Sequence, residues 1–147
     1  MATLKEKLLD KNVRPRVVAD SARVIDEEVA SKGGLTGIAI KGAYAVVKAV
    51  KANIIPETVD VLLDDFVARM EPFYEAWSKN PSGSFAAHLE QQAPQVADAL
   101  LAITDERAQR SKNATLRKAY EKLRPLGKKQ VEAALPRVAR MVNGYVA

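Results

Sequence analysis

Apolar positions recur along almost the whole chain at helical spacing, and no segment shows convincing strand alternation. Leu4, Leu8 and Leu9 give a short first helix behind the capping-box spacing Thr3-Leu4-Lys5-Glu6. Asn12-Val13-Arg14-Pro15 stops it and opens a second, with Val18, Ala22, Ile25 and Val29 on one face and Gly33-Gly34 at its end. The third, from Leu35 to about Ala52, is apolar over roughly half its circumference through Leu35, Ile38, Ala39, Gly42, Val46, Ala49 and Val50. Small residues, including Gly37, Ala43 and Ala45, keep it thin. Interior glycines cost about 1 kcal/mol each, so they call for a packing reason. The pattern predicts the central buried helix of the fold, with Lys41, Tyr44, Lys48 and Lys51 as its wet edge.

Pro56 opens the clearest helix, with an apolar stripe of Val59, Leu62, Leu63, Phe66, Val67, Met70, Phe73 and Trp77. Glu57, Asp60, Asp64, Glu71 and Glu75 line the opposite side, and Pro72 is expected to kink or split it. Asn80-Pro81-Ser82-Gly83 is a loop, after which Ser84 caps a short helix to about Gln92. Pro94 starts another, with Val96, Ala97, Leu100, Leu101 and Ile103 inward. Asn113 or Thr115 caps a helix carrying Leu116, Ala119, Tyr120 and Leu123, which Pro125 and Gly127 should break. A last helix runs from about Lys128 to Val146, bent or divided by Pro136.

The expected fold is therefore all-α, a compact bundle of six or seven helices in one domain over residues 1–147. Prolines at 15, 56, 94 and 136 also suggest stacked αα-repeats of about forty residues. The run from Lys32-Gly33-Gly34-Leu35 to Tyr44 and the segment Val131-Glu132-Ala133-Ala134-Leu135-Pro136 resemble small, uncharacterised all-helical bacterial proteins. No activity attaches to that resemblance, so it implies a helical fold and no site residues.

Composition narrows the chemistry. Of 147 residues, 48% are apolar and 28% charged, as in an ordinary globular protein. The absence of cysteine excludes disulfides, thiol catalysis and thiolate metal sites. Charges in Met1–Lys7 stand where a signal peptide needs an apolar run, and Lys41, Lys48 and Lys51 interrupt the best candidate span. A cytoplasmic protein is expected. The net charge of +5 is unevenly laid out. Residues 1–55 and 104–147 are basic, whereas residues 56–103 carry eight acidic side chains and two basic ones. Either opposite faces meet within the fold or oligomer, or the basic end meets an anionic partner.

Catalytic signals are weak. His88 is the only histidine, with no nucleophile at a suggestive spacing, and Ser82 and Ser84 suit loop and cap positions. The i,i+4 carboxylate pairs Asp60/Asp64 and Glu71/Glu75 suit a solvated stripe better than a metal site, and no cofactor is expected. Gly33-Gly34-Leu35-Thr36-Gly37 fits neither nucleotide fingerprint. Phe66, Phe73, Tyr74, Trp77 and Phe85 cluster in sequence and line either core or an apolar pocket. The leading expectation is a non-enzymatic helical module for protein interaction or self-association. The alternative is nucleic-acid binding by the basic C-terminal third. Its candidate contacts with an anionic partner are Arg107, Arg110, Lys112, Arg117, Lys118, Lys122, Arg124, Lys128 and Lys129.

Overall fold

Caps and prolines set most of the helix boundaries. The computed structural model describes residues 2–146, and among these there are seven helices and no strand. They are α1 (Leu4–Leu8), α2 (Arg14–Ser31), α3 (Gly34–Val50), α4 (Ile54–Lys79), α5 (Phe85–Gln91), α6 (Ala93–Arg110) and α7 (Ala114–Val146). Thr3 Oγ1 accepts from the Glu6 amide at 3.1 Å and Ser84 Oγ from the Ala87 amide at 3.0 Å. Asn113, not Thr115, caps α7 by accepting from the Leu116 amide at 3.1 Å. Gly34 has φ +66°, the left-handed backbone that lets α3 start after a link of only two residues.

None of the three prolines expected to interrupt a helix divides one. Pro72 lies inside α4, and Pro125 and Pro136 lie inside α7. Each is exposed, so the backbone bond it removes is on the wet side. There water can serve the freed carbonyl, and the helix continues. The uninterrupted α7 is about 50 Å long at 1.5 Å per residue and packs against α1, α2, α3, α5 and α6. Pro15, Pro56 and Pro94 stand at the starts of α2, α4 and α6, while Pro136 is interior. The chain closes on α7 as a bundle.

The densest packing is at one end of that bundle. Leu4, Leu8, Met70, Tyr74, Phe85, Leu89, Leu135 and Val142 meet there. Phe85 stands edge-on to Tyr74, with centroids 5.2 Å apart at 85°, and Trp77 lies 5.6 Å from Phe85. The Glu71 carboxylate accepts from the Leu4 and Lys5 amides at 2.9 and 3.1 Å, which pins α1 onto α4 and buries Leu4.

Helix α3 does not sit where its composition places it. Its buried residues are Gly37, Ile40 and Ala43, and Leu35 and Ile38 are 86% and 69% exposed. The cause is at its polar edge. Tyr44 is half-buried and donates its hydroxyl to Asp26 of α2, while Lys48 and Lys51 reach Asp26 and Glu57. The polar edge thus lies along the seams to α2 and α4, and the broad apolar arc turns outward. At Gly37 the packing is close: a Cβ there would stand 2.7 Å from the Lys32 carbonyl.

Candidate interaction surface

Part of the charge segregation is resolved inside the fold. Arg14 bridges Asp60 at 2.9 Å and Asp64 at 3.2 Å, and their hydrogen bonds hold its guanidinium pKa above the ordinary value. Arg137 pairs with Glu28 at 2.8 Å and Glu27 at 3.3 Å, and Lys128 with Asp98 at 3.1 Å. The three sequence blocks therefore neutralise one another in part across helix seams.

This divides the nine candidate anionic-partner contacts. Arg124 holds Asp105 at 2.7 Å, and that bond, helped by the Tyr120 hydroxyl, keeps the Asp105 carboxyl below the usual carboxylate range. Burial and Asp105 in turn push Tyr120 up to about 12. Arg110 pairs with Glu106, Lys128 with Asp98, and Arg117 donates to the Ser111 carbonyl. Arg107, Lys112, Lys118, Lys122 and Lys129 have no ion pair among the described residues. Only Lys118, Lys122 and Lys129 of these share one exposed side of α7, over about 16 Å at 1.5 Å per residue.

Other sequence candidates have structural occupations. His88 stacks on Phe85, with ring centroids 6.5 Å apart, and meets Gln92 at 3.3 Å. Asp60 and Asp64 hold Arg14, and Glu71 holds α1. Among the described residues, no three His, Cys, Asp or Glu side chains are grouped to hold a metal ion. Tyr74 and Phe85 are core, Phe73 and Trp77 pack against it, and Trp77 Nε1 donates to the Gly83 carbonyl at 3.1 Å. Phe66 stands apart, facing an interior space between helices.

The surface that sequence reasoning missed is the outer face of α3. Leu35, Ile38, Val46 and Val50 are exposed there, with Ala39, Gly42, Ala45 and Ala49 between them. At 100° per residue these eight positions occupy an arc of about 140° that contains no charged side chain. A Cβ built on Gly42 would meet nothing within 4 Å. The rim is polar and largely neutralised. Lys32 pairs with Glu28 at 2.6 Å, Lys48 with Asp26 at 3.7 Å and Lys51 with Glu57 at 2.7 Å. The apolar arc is visible in the sequence, which does not show that it faces outward.

A family model of unknown function, DUF6918, matches residues 4–146, which is nearly the whole chain. The chain belongs to the DUF6918 family. The match spans every helix from α1 to α7, so the bundle is the fold of this DUF6918 member rather than of an inserted segment. No curated protein and no solved structure matches the chain. No helix among the described residues is long and apolar enough to cross a membrane.

Proposed function

We propose that this DUF6918 protein is a non-enzymatic, cytoplasmic self-association module whose contact surface is the outer face of α3, met by the same face of a second copy. The observation that carries this reading is the uncharged arc from Leu35 to Val50, exposed on an otherwise charged molecule. An apolar centre inside a polar rim is the anatomy of a protein interface. A helix lying on anionic lipid would keep its lysines free for headgroups, whereas three of the four lysines here are held by carboxylates.

Side-chain sizes favour a second copy in antiparallel register. Pairing two α3 faces about Gly42 sets Leu35 on Ala49, Ile38 on Val46 and Ala39 on Ala45, with the glycines facing each other. Large residues then enter gaps left by small ones. The 17-residue helix is about 25 Å long, and such a contact buries on the order of 1,000 Å² in total, the low end for specific association. A weak, concentration-dependent dimer follows.

The chain has no cysteine, so a single one reports its own neighbourhood. Gly42→Cys should oxidise rapidly to a covalent dimer, because the two-fold register brings the new thiols within disulfide reach. Ala76→Cys, exposed on α4, is the control. Equal cross-linking rates for the two would refute the register. A second reading, nucleic-acid binding, draws support from the unpaired Lys118, Lys122 and Lys129. It requires duplex affinity that falls steeply with salt and disappears when all three are changed to glutamate.

A further inference from the structure

The helices leave a cavity of about 390 Å³ between α2, α4, α6 and α7. That is more than twice the ~150 Å³ at which an apolar protein cavity already admits benzene. It falls within the ~300–1,000 Å³ range of small-molecule sites. The cavity accounts for a feature of the packing. Val24, Ile25 and Val29 of α2, Phe66 of α4 and Val131 of α7 lie on inward stripes yet are only half-buried, because they face this space instead of one another.

The few polar groups on the wall fall into two sets. Glu28 and Lys32 pair at 2.6 Å, and Arg137 holds Glu28 from the other side at 2.8 Å, so both cations are already occupied. The Thr104 hydroxyl is engaged by Tyr120 and by the Leu101 carbonyl. Ser21 and Gln130 also border the space, but its wall is almost wholly apolar. The wall therefore offers a ligand no free charge and almost no polar surface.

We propose that this cavity binds a small, uncharged and mainly apolar molecule, of the medium-chain alcohol class. At ~30 Å³ per water-sized group, the space holds roughly a dozen non-hydrogen atoms. The wall built from Val24, Ile25, Phe66 and Val131 takes the chain, and the hydroxyl stays at the open side of the space. A carboxylate head is disfavoured because it must displace Glu28 from Lys32 or Arg137. The site shares only the rim pair Glu28–Lys32 with the outer face of α3 and none of that face's apolar residues, so it stands or falls separately from self-association.

The test is thermal melting and calorimetric titration of the full chain with decan-1-ol and, separately, decanoate. Decan-1-ol should bind and raise Tm, and decanoate should bind at least tenfold more weakly. Ala134→Phe fills the cavity from α7. It should leave the unliganded Tm unchanged or higher and weaken decan-1-ol at least tenfold. Val24→Phe repeats the test from α2. Ile38→Glu, on the outer face of α3, should leave the alcohol response intact. No binding of decan-1-ol to the wild type would overturn the proposal. So would equal binding by Ala134→Phe or Val24→Phe, or loss of the response in Ile38→Glu, which would place the ligand on α3. Failure of both filling variants to fold would show that the space is already closed. Decanoate binding as tightly as the alcohol would overturn the uncharged-head assignment.

Discussion

Helix α3 and the C-terminal half of α4 are both rich in apolar residues, and the fold treats them oppositely. Around α4, Met70 and Tyr74 sit in one cluster with residues of α1, α5 and α7, and Phe85 has no exposed surface. Along α3, Leu35 and Ile38 keep most of their surface in water. The difference is the number of neighbours, not the sequence of either helix. α4 has helices on several sides, whereas α3 lies on α2, α4 and α7 with one side only. An apolar stripe thus identifies a surface that needs a partner, and it does not say whether that partner belongs to the same chain.

Large-to-small substitutions sharpen the contrast most. Phe85→Ala should cost about 3–5 kcal/mol, because it deletes a fully buried ring from the Tyr74–Trp77 cluster. Ile38→Ala should change monomer stability by no more than about 0.5 kcal/mol. Denaturant midpoints at a protein concentration too low for association check both. A large loss for Ile38→Ala would mean that α3 is covered within the monomer.

The two interior glycines of α3 give a smaller effect with opposite signs. Gly37→Ala should destabilise by about 1–3 kcal/mol, since its methyl group would run into the Lys32 backbone. Gly42→Ala should stabilise the monomer by about 1 kcal/mol through helix propensity, because nothing stands near the added carbon. Thermal melts of the pair read the sidedness of α3 directly, and equal signs would contradict it.

Much of this was legible in the residues. Thr3, Ser84 and Asn113 cap the helices their spacing suggests, and Gly34 supplies the left-handed turn before α3. The all-α bundle follows from periodicity alone. What periodicity at 100° per residue could not give was direction. Tyr44, Lys41 and Lys48 looked like a solvent edge, yet Tyr44 spends its hydroxyl on Asp26 across a helix seam, which burial and that carboxylate reflect by raising its pKa well above the ordinary phenol range. Such a long-range polar contact leaves no local pattern. Prolines 72, 125 and 136 do not divide their helices, because water can serve the carbonyl that an exposed proline frees. The basic C-terminal third looked like one surface, but Asp98, Asp105 and Glu106 take up part of it. The cavity was illegible for a different reason: Phe66, Val131 and Val138 have the same spacing whether they meet each other or an empty space.

Mass in solution as a function of concentration, for the wild type and Ile38→Glu, addresses the outer face of α3 most directly. Between about 1 μM and 1 mM the wild type should rise from the mass of one chain, 16.0 kDa, toward twice that value. Ile38→Glu should stay at the single-chain mass with an unchanged helical spectrum, because a charge within the arc is harmless to the monomer and costly when a second copy covers it. A wild-type mass fixed at 16.0 kDa throughout, or a dimer as strong in Ile38→Glu as in the wild type, would contradict the account.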